Sequence, residues 1–257
     1  MDRLLIIGYV WPEPNSSAAG ARMLQLIEFF RAEKYAVSFA TTASGTSNMV
    51  DLAEMGVQTE TIQLNSSSFD VFIKNLNPSI VLFDRFMMEE QFGWRVSKIC
   101  PDALKILDTE DLHFLRNLRE EVFRKKIPAE NAFFGSDMAK REIASIYRCD
   151  LSLIISETEL ELLVNQYNVP KNLLFYLPFM LKSISKENIK DLPSFEERSH
   201  FVSIGNFRHA PNWDAVLNLK EHIWPKINKT LPEAELHIYG AYHSKNVFDL
   251  HDPKNGF

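Results

Sequence analysis

Cysteine is almost absent from this sequence: Cys100 and Cys149 are the two in 257 residues, and they lie far apart. No CxxC pair and no Cys/His zinc spacing occurs, so neither a redox motif nor a structural metal site is suggested, and a reduced, cytoplasmic compartment is the default. A basic excess is missing too. Lys and Arg number 28 against 34 Asp and Glu, a formal charge of -6, which argues against a general nucleic-acid binder. No apolar run approaches the ~18 residues of a membrane span. The opening stretch Met1–Val10 is too short for a signal sequence and runs into Trp11-Pro12-Glu13-Pro14 instead of a small-residue cleavage site, so it reads as a first buried strand. There is no GxSxG, HExxH or P-loop, which leaves hydrolase, metalloprotease and NTPase readings without an anchor. Internal repeats and low-complexity tracts are also missing.

What is present is a soluble globular composition, 46% hydrophobic and 24% charged, with 19 Phe to fill a core. Short apolar runs at 3–8, 36–41, 57–62, 79–83, 104–108, 151–155, 173–177, 200–204 and 235–239 alternate with helical patterns at about 20–34, 67–76, 88–100, 112–125, 130–148, 157–167 and 212–230. Most of the runs are continuously apolar, as expected of parallel strands covered on both faces. The alternation predicts an α/β, doubly wound fold. Asn77-Pro78 closes one helix. Ser156 with Glu159 predicts a capping box, and Asn168-Val169-Pro170 ends that helix. Residues 182–199 are rich in Lys, Glu and Ser and lose the apolar rhythm, which predicts an exposed linker. The expected organisation is therefore an N-terminal Rossmann-like domain over 1–182, a linker over 183–199, and an incomplete second Rossmann-like domain over 200–257.

Four constellations fall just after strands, where α/β proteins place ligands. The loop Trp11–Arg22 is small and polar and opens a helix whose backbone N–H groups suit a phosphate or a sugar hydroxyl. It is not GxGxxG, which disfavours a standard dinucleotide site, and a long surface loop with a cap is the plainer reading. Leu107–Arg119 crowds Asp108, Glu110, Asp111, His113, Arg116 and Arg119 at one strand end. An imidazole beside carboxylates suits proton transfer, and arginines three apart share a helix face that suits an anion. The structural alternative is that Asp108 or Thr109 caps the helix and the arginines pair with Glu120 and Glu121. Asp84-Arg85-Phe86 follows a third strand, with an ordinary cap equally compatible. Gly205–Asn212 follows a fourth: Gly205 permits close backbone approach, Arg208 and His209 suit phosphates, and Asn212 also suits an N-cap. The basic run Arg124-Lys125-Lys126 reads as a solvated helix end, with contact to an anionic acceptor or membrane surface as the weaker reading.

Taken together these segments resemble the GT-B glycosyltransferases of the family-4, or group 1, type. The resemblance rests on Pro12, Pro14, Ser16 or Ser17, Gly20 and Arg22; on Leu107-Asp-Thr-Glu-Asp-Leu-His with Arg116, followed by Ser156-Glu157-x-Glu159; and, most specifically, on Ile204-Gly-Asn-Phe-x-His-x-Pro-Asn-x-Asp-Ala-Val, with Ile223-Trp-Pro and the Leu231-to-Gly240 segment behind it. It spans essentially the whole chain but about two thirds of such a family member. It implies two Rossmann-like domains with a cleft between them, transfer of a sugar from a nucleotide-sugar to a carbohydrate or lipid-linked acceptor, and electrostatic catalysis without a bound metal or other cofactor. Glu110, Asp111 and His113 would then be catalytic; Gly20, Arg22, Asp84 and Arg116 would serve the acceptor; Gly205, Asn206, His209 and Asn212 would serve the donor. The family's later basic loop and Glu-x7-Glu motif are not in this sequence, so a truncated donor domain is expected. The alternatives are a non-catalytic glycan- or partner-binding remnant and a GT-B sugar-nucleotide epimerase. A cytoplasmic protein, with peripheral membrane contact in keeping, is the corresponding location.

Overall fold

The computed structural model describes residues 2–126 and 135–257. The chain divides into two compact units, one of Met1–Pro14 and Ala19–Met180, the other of Asn15–Ala18 and Leu181–Phe257.

The larger unit is a seven-stranded parallel sheet: β1 (Arg3–Gly8), β2 (Ala36–Thr41), β3 (Gln58–Thr61), β4 (Ile80–Asp84), β5 (Leu104–Asp108), β6 (Leu151–Ile154) and β7 (Leu174–Tyr176). Their spatial order is β3-β2-β1-β4-β5-β6-β7, with parallel register at every pairing. The strands alternate with α1 (Ala18–Ala32), α2 (Ser67–Leu76), α3 (Phe86–Ile99), α4 (His113–Lys125), α5 (Asp137–Arg148) and α6 (Glu157–Tyr167). Adjacent side chains of a strand point to opposite faces, and here each face has its own core. Leu5, Ile7, Val81, Phe83 and Leu107 pack on one side with Phe92 and Val96 of α3 and Leu163 of α6. Leu4, Ile6, Leu82 and Ile106 pack on the other with Met23, Leu26 and Ile27 of α1. That is why these strands read as unbroken apolar runs. The edge strand β3, Gln-Thr-Glu-Thr, is exposed throughout, so coverage on both faces does not extend to it; polar residues suit an edge.

Helix ends follow local chemistry. Asn77 closes α2 in the left-handed region at φ 45°, immediately before Pro78. Ser156 caps α6 by accepting from Glu159 N. The expected box is only half formed, because the Glu159 carboxylate accepts from Leu112 N, not from the cap. The start of the expected helix 130–148 lies partly outside the described residues, and α5 begins at Asp137 under a Ser136 cap.

The second unit holds a two-stranded parallel sheet, β8 (Phe201–Ile204) and β9 (Leu236–Tyr239), preceded by the short α7 (Lys186–Lys190) in an otherwise exposed stretch. Between the strands runs one helical rod: α8 (Ala210–Asn218), a π-turn over Leu219–Ile223, and α9 (Trp224–Thr230). Pro225 explains the π-turn, because it has no N–H to continue the ladder and its ring crowds the preceding turn. The rod begins at Ala210 with His209 at the N-cap, so Asn212 is not the cap. Val216, Trp224, Ala234, Leu236 and Phe257 form a small core, anchored where Trp224 Nε1 donates to Asn255 O at 2.6 Å. The other sheet face is open: Val202 is 60% and Ile204 78% exposed. A last short helix, α10, spans Lys245–Phe248. Among the described residues no helix is long and apolar enough to cross a membrane.

One buried ion pair ties the larger unit together. Arg22 of α1 and Asp108 of β5 are 1% and 0% exposed. Arg22 Nε donates to Asp108 at 3.0 Å and Nη2 at 2.8 Å, while Nη1 reaches Leu177 O at 2.8 Å. Removing one partner leaves an uncompensated buried charge, which costs about 3–5 kcal/mol. We therefore expect Arg22→Met to lower the unfolding free energy by about that amount in urea titrations, and Arg22→Met with Asp108→Leu to lose less than Arg22→Met alone.

Candidate functional site

The strand order reverses between β1 and β4, and in open α/β sheets the crevice beyond the carboxyl ends at such a switch point is where ligands sit. The charged residues gather there. Asp84 ends β4, Arg85 follows it, Asp108 ends β5 and Glu110 lies two residues on. A cavity of ≈ 570 Å³ lined by Arg3, Asn77, Pro78 and Cys100 opens at the opposite, amino edge, away from these groups.

Asp84 is 4% exposed. Its Oδ2 accepts from Tyr9 N at 2.9 Å, and its Oδ1 has no hydrogen-bond partner among the described residues, with Arg85 Nε 3.6 Å away. Arg85 lies at φ 71°, ψ 157°, and Glu110 at φ 58°. Both are non-glycine residues in backbone regions that L side chains rarely adopt, and such outliers gather at functional sites. The Arg85 backbone is held there by its N–H to Asp108 O at 2.8 Å. Side by side, the two residues pair: Arg85 Nε donates to Glu110 Oε2 at 2.8 Å and Nη2 lies 2.7 Å from the same oxygen. The Arg85 guanidinium also sits 4.9 Å over the Tyr9 ring.

Three carboxylates thus share a dry region with two guanidiniums. Burial raises the pKa of Asp84 and of Asp108, against the pull of Arg85 and Arg22 respectively. Burial, with Asp84 and Asp108 nearby, pushes Glu110 up to about 8 despite the Arg85 contact. Glu110 is therefore one carboxyl here that can hold or release a proton near neutrality.

His113 opens α4. Its Nδ1 faces Arg116 Nη2 at 3.1 Å; guanidinium only donates, so the neutral ring carries its proton on Nε2. That Nε2 is buried without a hydrogen-bond partner among the described residues, 3.7 Å from Asp111 Oδ1. Burial and the neighbouring Arg116 hold the imidazole down at about 4, so at neutral pH it is an uncharged donor with an unused N–H. Arg116 also pairs with Asp111 at 3.4 Å, and it is Arg124 and Lys125, not Arg116 and Arg119, that pair with Glu120 and Glu121.

The sequence reading missed what fixes this ring. Leu112 is the N-cap of α4 and has no side-chain cap bond, so neither Asp108 nor Thr109 caps the helix. The caps come from other helices. Glu142 of α5 accepts from His113 N at 3.1 Å and Phe114 N at 2.9 Å, and Glu159 of α6 accepts from Leu112 N at 3.3 Å. Burial pushes the Glu142 carboxyl up to about 7, with these backbone bonds pulling the other way. The only signal for Glu142 was an acidic residue on the apolar face of α5.

Of the expected acceptor residues, Asp84 and Arg116 lie in this cluster. Arg22 is enclosed, with its donors turned to Asp108 and Leu177. Gly20 permits a close crossing: a Cβ there would lie 2.4 Å from the backbone of Glu13. The donor-side residues belong to the second unit. Gly205 N donates to Tyr239 O at 3.0 Å. Asn206 Oδ1 accepts from Arg208 N at 2.9 Å, and Asn212 Nδ2 donates to Asn206 O at 2.9 Å, so these side chains shape the loop from within. His209 is exposed at the N-cap of α8. Gly240 completes the turn, since a Cβ on it would lie 1.9 Å from Gly205 O.

These features define a GT-B-like α/β protein, and solved structures share its fold. No family model and no curated protein matches the sequence. Sucrose-phosphate synthase from Thermosynechococcus elongatus superposes with a TM-score of 0.59 at 12% identity, over 95% of this chain and 63% of its own. The lipopolysaccharide outer core galactosyltransferase WaaB, in its apo form, does so at 0.53 and 14%, over 93% of this chain and 61% of its own. A putative UDP-N-acetylglucosamine 2-epimerase from Listeria monocytogenes gives 0.55 and 12%, over 100% of this chain and 67% of its own. The likeness is one of fold, and the chain spans a little over six-tenths of the first two proteins.

The shifted groups set a pH signature. Glu110 has its folded pKa raised from 4.5 to about 8, so the stability it contributes is full below pH 4.5 and is lost as pH rises through 8. His113, lowered from 6.5 to about 4, contributes stability at higher pH that is lost as pH falls from 6.5 through 4. Glu110→Gln is expected to flatten the alkaline decline in denaturation midpoints between pH 5 and 8. In ¹³C-glutamate spectra the Glu110 carboxyl should titrate near 8, and higher still in Arg85→Gln.

Proposed function

We propose that this protein takes part in glycosyl transfer, with a nucleotide-sugar as donor and a carbohydrate or lipid-linked acceptor. The observation that carries the reading is the group at the switch point: a carboxyl poised near neutrality and a neutral imidazole with an unused N–H, beside a pair of non-glycine residues in left-handed backbone. Sugar hydroxyls are recognised by such mixed donors and acceptors. Glu110 is the proton-exchanging carboxyl beside the reacting sugar. His113 Nε2 donates to a sugar hydroxyl, and Asp111 and Arg116 orient that ring. Asp84 serves the acceptor side by holding the Arg85 guanidinium, 3.6 Å from its Oδ1, in place. Arg22 serves by holding Asp108, and Gly20 by admitting the loop above it.

For the donor, Gly205, Asn206 and His209 form a strand-to-helix loop ahead of α8, and Asn212 stands in the first turn of that helix. Backbone N–H groups and the positive end of a helix favour a diphosphate, and such groups stabilise it as it leaves. The reading is supported by the fold shared with a galactosyltransferase and a sucrose-phosphate synthase. Residues Arg124, Lys125 and Lys126 at the end of α4 suit peripheral contact with an anionic membrane surface, and the cytoplasm suits a nucleotide-sugar enzyme. The fold shared with a putative 2-epimerase keeps epimerisation as the second reading.

The test is turnover of a nucleotide-sugar panel by the protein, with and without a mixture of glycan and lipid-linked acceptors. Acceptor-dependent release of nucleoside diphosphate is expected, with His113→Ala and Glu110→Gln each lowering kcat by about 10²-fold. Epimerised sugar formed without acceptor would establish the second reading. Glycan binding without turnover of any nucleotide-sugar would leave a binding module and overturn both.

A further inference from the structure

The start of the two-stranded sheet brings together three side chains for which the glycosyl-transfer reading has no use. Phe201 pairs with Leu236 and Val202 with His237 in parallel register, so His200 stands beside Glu235. Leu236 is buried in the unit's core, and Phe201 packs edge-on against Trp224 at 5.9 Å. Strand alternation therefore turns His200, Glu235 and His237 to the opposite, open face. One donor atom from each lies within 4.8 Å of the other two. The His200 and His237 rings are 5.3 Å apart.

We propose that His200, Glu235 and His237 form a binding site for a divalent transition-metal ion, zinc by its donor set, that staples the start of β8 to the start of β9. Two imidazoles and one carboxylate are a known zinc donor set that keeps a fourth position for water. The donor atoms are already close. His200 Nδ1 accepts from Glu235 N at 3.2 Å; a cation taking that lone pair releases a backbone N–H at the surface, where water replaces it, and one bound between His237 and Glu235 displaces the proton on His237 Nε2. His237 Nε2 and Glu235 Oε2 are 2.9 Å apart, close to the roughly 3.3 Å edge of a tetrahedral zinc site. Closing the widest gap, 4.8 Å at most, to that edge takes a shift of no more than about 1.5 Å in exposed side chains. Parallel pairing fixes the backbone of His237, and Phe201 N donating to Glu235 O at 2.8 Å holds that of Glu235, so ordering these two beforehand lowers the cost of binding. Residue spacing in the sequence hides the site, because His200 lies 35 positions from Glu235 and only strand pairing joins them.

The experiment is a Co²⁺ titration of the whole protein in phosphate-free buffer, read by visible absorption, with displacement by Zn²⁺. Saturable one-to-one binding with the strong absorption of low-coordinate cobalt is expected. His200→Ala and His237→Ala should each weaken it by at least about tenfold, while His251→Ala, in the same unit, should leave it unchanged. Zn²⁺ should raise the thermal midpoint of the wild type but not of the two variants. All three residues are surface residues, so circular dichroism is expected to show each variant folded. No saturable binding at about 1 mM Co²⁺, or equal affinity in wild type, His200→Ala and His237→Ala, would overturn the proposal and reduce the cluster to the Glu235–His237 ion pair.

Discussion

Arg22 and Asp108 form an ion pair in a place closed to water, and the candidate site is arranged around the consequences. A carboxylate buried at the end of β5 would be expelled or neutralised without a cation. The bidentate guanidinium from α1 keeps it in place, and Leu177 O accepts from its Nη1. With Asp108 fixed and charged, its neighbours feel its field. Asp84 and Glu110 both sit near it, and Asp108 is among the causes that raise Glu110. The buried pair thereby adds, after burial and Asp84, to the upward shift of the Glu110 carboxyl.

A second layer of buried carboxylates does the same for geometry. Glu142 and Glu159 reach from α5 and α6 to the first backbone N–H groups of α4. They satisfy orphan donors that a local Ser or Asp would ordinarily take. The effect differs from local capping, because it locks the position of His113 to two other helices rather than to its own loop. The imidazole is then held with Nδ1 toward Arg116 and Nε2 unused.

The legibility of the sequence follows from how local each signal is. Strand positions were readable because Leu4–Ile7 and Val81–Phe83 are buried on both faces of one sheet, which writes an unbroken apolar run into the chain. The exposed β3 was located as well, but its environment was misread, since an edge strand need not be apolar. The residues at strand ends, Asp84, Glu110 and His113, were readable because topology places every parallel strand's carboxyl end on one side. Roles were harder. Arg22 reads as a loop cation in sequence and proves to be a buried partner 86 positions from Asp108. Glu159 looked like half of a capping box and serves another helix. Asn212 looked like a cap and braces a turn. Arg22 and Glu159 take partners far away in sequence, and Asn212 bonds back to Asn206 O in its own loop; none of these pairings is written in local spacing.

The backbone supplies the remaining step. Arg85 and Glu110 occupy left-handed conformations without being glycine, at a cost of order 1–3 kcal/mol each. Glycine would relieve that strain at either position. It would also remove the ion pair that the two side chains make with each other, and with it the one cation beside Glu110 that pulls its pKa down. Stability alone therefore gives no reason for two charged residues at these turns. Strain and burial therefore converge, against the pull of the Arg85 guanidinium, on a carboxyl pushed up to about 8 at the carboxyl edge of the sheet.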